Sequence, residues 1–322
     1  MLSEPETQSR NAKPAERRHD GDADDGREIV RTSGEALKRS LAFARWLFSP
    51  TLSPKEIYDL FSTDALTERG LFFNMGYWKD ASTMDEACRA LADLVGERAA
   101  LGKKDHVLDV GFGFGDQDIQ WMRRFEPAKI VGINITESQV VVARKRVEQL
   151  KLDDRIVLGV GSATRLPFEA ESFDKVVALE CAQHFDTRED FFREAFRVLR
   201  PGGRLVTADI LKRDVEPPTW LARANARLMW DTYCRMWVVP KANQITPAVY
   251  ERQLRDIGFG TIDLESIRDW VYPQYHEWLR RPSFLDRFNP VVRSWARLVL
   301  TMSAETSYVA HEYLIATADK PA

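Results

Sequence analysis

Cysteine is scarce in this chain. Cys88, Cys181 and Cys234 are the only three among 322 residues, too few and too scattered for a disulfide framework or a zinc site. An excess of either charge is also missing: 46 Lys and Arg stand against 49 Asp and Glu, a formal net charge of −3. Without a basic footprint for a phosphate backbone, nucleic acid is not expected as a main partner. No apolar run approaches the roughly 20 residues that cross a bilayer, so integral membrane contact is not expected either. The five histidines are dispersed, with no H-x-x-x-H or local carboxylate–His set, and no metal site is expected. The first residues are polar, unlike a secretory leader. A reducing, cytoplasmic setting is the expectation that follows.

What is present is a 44% hydrophobic, 30% charged composition, ordinary for a globular chain. Residues 1–28 carry almost no large apolar groups and are predicted to form a disordered tail. Residues 29–100 read as an N-terminal helical cap. There Leu37, Leu41, Ala44 and Phe48 recur at helical spacing, and a second helix is expected from Met84 to Leu101. From residue 101 to 212 short apolar runs alternate with amphipathic stretches. The runs are Val107–Val110, Ile130–Ile133, Ile156–Val160, Lys175–Leu179 and Arg204–Ala208. Strands alternating with helices predict an α/β fold built on a parallel sheet with right-handed crossovers. Residues 213–246 break the rhythm and read as a helical insertion. The remaining stretch, 247–322, returns to the core with a helix at Pro247–Ile257, strands near 261–267 and 308–318, and a second helical insertion at about 274–302.

The strongest local signal follows the first strand: Asp109-x-Gly111-x-Gly113-x-Gly115, leading into a helix. Glycines let a backbone approach a ligand closely, and the helix start presents free N–H groups. No Gly-Lys-Ser/Thr follows, which excludes a Walker-type phosphate loop, and the spacing differs from the G-x-G-x-x-G of dinucleotide binders. Further segments keep order with it: Gly132-Ile-Asn134-Ile-Thr136 with Gln139, then Gly161-Ser162-Ala163, Ser172-Phe173-Asp174, and Pro201-Gly-Gly203. Upstream stands Asn74-Met-Gly76-Tyr77-Trp78.

In these motifs the chain resembles the class I S-adenosylmethionine-dependent methyltransferases over roughly residues 55–320. The resemblance implies a Rossmann-like, seven-stranded, mostly parallel sheet with helices on both faces, topped by the helical cap and lid insertions. It implies S-adenosylmethionine as cofactor. It also implies contacts from Tyr77, Trp78, Asp109, Gly111, Gly113, Gly115, Gln117, Asn134, Gln139, Ser162, Ala163 and Glu180. Asn134 and Ser162 depart from the family, which often carries acids at these positions; both changes remove negative charge near the cofactor.

Methyl transfer to a heteroatom needs in-line positioning and removal of the acceptor proton. His184 falls at the carboxyl end of the fourth strand, where ligand groups gather in an open parallel sheet. Its ordinary pKa suits a base. Asp209 ends the fifth strand and is expected to orient the imidazole. Relatives carry a His pair in this loop and an Asp after strand five; His184 matches the second His, and Gln183 replaces the first. Cys181 has no activating neighbour and is read as packing.

Trp230, Tyr233 and Trp237 fall in the first insertion and are expected to line an apolar acceptor pocket, although packing alone accounts for such aromatics equally well. The stretch Ala178–Arg193 resembles the erythromycin-type macrolide and sugar O-methyltransferases. That points to methylation of a hydroxyl on a small secondary metabolite, with homo-oligomer formation left open. Two other readings stay open on the sequence. One is C-methylation of a prenyl diphosphate or lipid, for which Arg223, Arg227 and Arg235 would have to converge. The other is a non-catalytic partner subunit that keeps only the cofactor fold.

Overall fold

A computed structural model describes residues 67–286 and 290–322. The predicted tail and the Leu37–Phe48 stripe lie outside the described residues. The chain first runs irregularly from Thr67 to Thr83 and then enters helix α1 (Met84–Arg98). Thr83 and Glu86 close a capping box at its start, a device that supplies about 1 kcal/mol.

Strands and helices then alternate as expected: β1 (His106–Val110), α2 (Asp116–Arg124), β2 (Lys129–Asn134), α3 (Glu137–Gln149), β3 (Ile156–Val160), β4 (Phe173–Leu179), α4 (Arg188–Val198) and β5 (Leu199–Lys212). The first insertion holds α5 (Trp220–Met236) and a short 3-10 turn at Lys241–Asn243. Helix α6 (Pro247–Ile257), β6 (Ile262–Ser266), four helices α7 (Tyr272–Leu279), α8 (Pro282–Leu285), α9 (Pro290–Val299) and α10 (Ala304–Ser307), and β7 (His311–Asp319) complete the chain. The strand order is β3-β2-β1-β4-β5-β7-β6, with β7 antiparallel to both neighbours and the first five strands parallel.

Side chains alternate between two cores, one on each face of the sheet, as a strand's two-residue period requires. Val107, Val177, Leu179, Val206 and Ala208 pack with Ala87, Cys88, Leu91 and Val95 of α1. Leu108, Val176, Ala178 and Leu205 pack with Phe191, Phe192 and Ala195 of α4 and with Tyr250 and Leu254 of α6. Coverage on both faces explains why these strands are continuous apolar runs. Strand β5 begins five residues earlier than the sequence predicts, because Leu199 already pairs with Phe173. Among the described residues, no helix is long and apolar enough to cross a membrane.

Successive strands run outward from β1 in one direction and from β4 in the other. This reversal leaves a crevice outside their carboxyl ends, the usual ligand position in open α/β sheets.

Candidate active site

A cavity of about 330 Å³ occupies that crevice. Its floor is the turn Gly111–Phe114, and its walls come from Asn134–Thr136 with Gln139, from Gly161–Thr164, and from Leu179–Cys181 with His184–Asp186. Leu71, Phe72 and Phe73 close it from the N-terminal segment.

The glycine turn is dictated by sterics. Gly111 has φ +83°, and a Cβ there would meet the Cys181 Sγ at 2.6 Å. Gly113 has φ +58°, and a Cβ there would meet nothing within 4 Å. One glycine therefore lets the turn pack against β4, and the other opens backbone to the cavity.

Asn134 replaces an acid but is fixed in its own way. Its Nδ2 donates to Gln139 Oε1 at 2.8 Å and to the Gly113 carbonyl at 3.3 Å, and its Oδ1 accepts from the Thr136 N–H at 3.2 Å. The second strand's end is thus tied to the glycine turn without a charge. Asp116, which sequence reasoning missed, also lines the cavity. Its carboxylate is held by Arg146 at 2.5 Å and accepts the Leu71 N–H at 3.0 Å. The signal available was its position as the first residue of the helix after the turn.

Gly111, Gly113, Gln117, Asn134, Gln139, Ser162, Ala163, Glu180 and His184 all line the cavity. Tyr77, Trp78, Asp109 and Gly115 do not line it. Trp78 is buried in the core and donates to the Met75 carbonyl. Asp109 lies fully buried behind the turn and accepts from Gln117 Nε2 at 2.8 Å, so it reaches the cavity only through that side chain. Burial pushes its carboxyl up, and that of the neighbouring Asp118 further, which favours a proton shared between the two.

The expected His184–Asp209 pairing is corrected. Asp209 is gripped by Arg188, with Nε to Oδ2 at 2.8 Å and Nη2 to Oδ1 at 3.1 Å, both residues being fully buried. A guanidinium matches a carboxylate in two-point geometry better than an imidazole can. Burial pushes the Asp209 carboxyl up, but the Arg188 charge opposes that shift.

His184 sits at the end of the short turn Ala182–His184 and faces the cavity. Burial pushes its pKa down to about 4; a hydrogen bond to the Trp237 backbone opposes this, and the Arg188 charge adds to it. The ring is uncharged near neutral pH.

Glu180 accepts from the Met75 N–H at 2.7 Å and from the Tyr313 hydroxyl at 2.5 Å. Burial raises its pKa to about 7 against these two hydrogen bonds.

The aromatic lid is corrected in part. Trp230 and Tyr233 pack on the His311 ring, at 5.3 and 4.9 Å between centroids, and do not line the cavity. Trp237 does not line it either, though its ring lies 6.4 Å from that of His184. Arg223, Arg227 and Arg235 do not converge on the cavity, and no Lys or Arg among the described residues lines it. Among the described residues, no group of three or more His, Cys, Asp or Glu is placed to hold a metal ion.

A five-stranded parallel sheet extended by an antiparallel pair, with a glycine turn and a polar second-strand end at its switch point, defines an adenosyl-cofactor-binding enzyme. Residues 108–207 match the methyltransferase domain family. The chain is 36% identical over 304 residues to erythromycin 3''-O-methyltransferase of Saccharopolyspora erythraea, covering 89% of this chain and 97% of that protein. It is 34% identical over 228 residues to 27-O-demethylrifamycin SV methyltransferase of Amycolatopsis mediterranei, covering 69% of this chain and 80% of that one. The fold is shared with the structure of a sarcosine dimethylglycine methyltransferase from Galdieria sulphuraria, with a TM-score of 0.64, 19% identity, and coverage of 77% and 93%. The chain belongs to the class I S-adenosylmethionine-dependent methyltransferases of the natural-product type. It is an enzyme, and S-adenosylmethionine is its cofactor. The backbone opened by Gly113 and the tied amides of Asn134 and Gln139 fit that group.

Proposed function

We propose that the enzyme methylates a hydroxyl of a macrolide-type or glycosylated polyketide small molecule, with His184 taking the acceptor proton. The observation that carries this reading is an uncharged His184 on the cavity wall beside the glycine turn. The relatives whose names specify O-methylation of erythromycin and methylation of demethylrifamycin support the acceptor class.

Bound S-adenosylmethionine supplies the methyl as a sulfonium, so the electrons of the broken S–C bond leave with sulfur. Gly111–Phe114 would offer backbone to the cofactor, and Asn134 with Gln139 would offer it side-chain amides. Phe72 and Phe73 exclude water from above. As the acceptor oxygen forms its bond to carbon, its proton becomes acidic and passes to the His184 ring. A base of low pKa suffices because the proton leaves late, when the oxygen already carries positive charge.

A prenyl diphosphate acceptor finds less support, since no Lys or Arg among the described residues lines the cavity. The test is incubation of the protein with methyl-labelled S-adenosylmethionine and either 3''-O-demethylerythromycin or 27-O-demethylrifamycin SV. The product is then assigned by mass spectrometry and NMR. Label on a hydroxyl oxygen is the expected result. Label on carbon or nitrogen, or cofactor binding with no transfer to either acceptor, would overturn the reading.

A further inference from the structure

The loop that carries His184 is gripped from outside its own strand and helix. Asn243 lies in the first insertion, in the short turn Lys241–Asn243, and is 1% exposed. Its Nδ2 donates to the Gln183 carbonyl at 3.1 Å and to the Phe185 carbonyl at 2.7 Å. These are the two residues that flank His184. Its Oδ1 accepts the Arg188 N–H at 2.8 Å, and its own carbonyl accepts Arg188 Nη1 at 2.7 Å. Arg188 in turn holds Asp209 within β5.

An asparagine amide has two N–H donors and one carbonyl oxygen. Here both kinds of group are spent on one six-residue stretch, Gln183 to Arg188. The ring of His184 is bonded to the backbone of Trp237, from the same insertion. The insertion therefore fixes the backbone on both sides of the base and touches the base itself. A buried side chain that satisfies three backbone groups at once leaves all three unpaired when it is removed.

We propose that Asn243 is a positioning residue for methyl transfer, holding the His184 loop from the insertion through the Gln183 and Phe185 carbonyls. The inference rests on His184 as the base, but its structural half can be tested separately. In this arrangement the Asp209 carboxylate of β5 does not orient the imidazole. It anchors Arg188, and Asn243 converts that anchor into a fixed loop.

The test uses the full-length protein and the variants Asn243→Ala and Asn243→Asp. The first removes donor and acceptor; the second keeps the acceptor and the volume but turns an oxygen towards two carbonyls. Binding of S-adenosylmethionine, read by calorimetry, is expected to stay within about threefold, because Asn243 does not touch the cofactor cavity. The His184 ring resonance, assigned by its loss in His184→Ala, is expected to titrate at least about one unit higher in Asn243→Ala as water reaches the ring. With 3''-O-demethylerythromycin, kcat is expected to fall about 10- to 100-fold in either variant. In a His184→Ala background the further loss should shrink to about twofold, because the residue acts through the base.

Unchanged titration together with turnover within about twofold of wild type would overturn the proposal. So would full additivity with His184→Ala. If His184→Ala itself retains turnover, the base assignment falls while the ring titration still decides whether Asn243 holds the loop. If Asn243→Ala fails to fold, Asn243→Asp carries the same measurements.

Discussion

Burial at His184 sets the direction of any acid dependence. Its folded pKa is lowered to about 4, so the competent, uncharged ring is present throughout the neutral range. Methyl transfer should therefore be flat in pH down to about 5 and fall as pH drops through about 4, as a stopped assay across pH would show. His184→Ala should lower kcat by about 100-fold or more with cofactor affinity intact by calorimetry. Arg188 has the opposite kind of importance. Arg188→Ala leaves the buried Asp209 carboxylate without its counter-charge and should cost about 3–5 kcal/mol in urea unfolding. Part of this was legible in the sequence. The loop motif named His184, and the strand-end position named Asp209. Their pairing was not legible, because Arg188 reaches Asp209 across 21 residues of chain and no local spacing encodes that contact. Asn243 was hidden for the same reason, lying 58 residues from the Phe185 carbonyl it binds.

The alternation of strand and helix was readable because both sheet faces are covered and the central strands are apolar over most of their length. The glycine turn was readable because its backbone angles admit few other residues, and it offers a sharp contrast between two of them. Gly111→Ala places a Cβ 2.6 Å from Cys181 Sγ at a positive φ, so it should lower thermal stability strongly and weaken cofactor binding as a consequence. Gly113→Ala meets no protein atom within 4 Å. Its strain should cost only about 1–2 kcal/mol of stability, but its methyl group enters the cavity proposed for the cofactor. Thermal melts and calorimetry on the two variants should therefore separate. Gly113→Ala is expected to melt close to wild type with S-adenosylmethionine affinity reduced about tenfold or more, since a mispacked cofactor contact readily costs about 1.4 kcal/mol. The insertions were read less well. Large aromatics at helical spacing look the same whether they line a pocket or seal an insertion onto the core. Here Trp230 and Tyr233 pack on His311 and do not line the cavity.

Across the whole molecule, the segment Thr67–Trp78 is pinned over the cavity by carboxylates from three other elements. Asp85 of α1 accepts the N–H groups of Glu68, Arg69 and Gly70; Asp116 of α2 accepts that of Leu71; Glu180, after β4, accepts that of Met75. Glu180 also receives the Tyr313 hydroxyl from β7, so one side chain joins the N-terminal segment, the parallel sheet and its antiparallel extension. Its folded pKa is raised to about 7 by burial. The folded protein thus binds more protons at this site than the unfolded chain. Stability from Glu180 is fully present below the ordinary carboxyl range and is lost as pH rises through about 7. Glu180→Gln keeps an acceptor for both donors and carries no charge at any pH. Its stability relative to wild type should therefore climb between about pH 5 and pH 8 by roughly 2 kcal/mol, or about 4 °C in melting temperature. The buried pair Asp109 and Asp118 titrates in the same direction, but it does so in both proteins and cancels from the difference. A difference that stays constant across this range would mean that water reaches Glu180 and that the segment over the cavity is not held shut by a buried carboxyl.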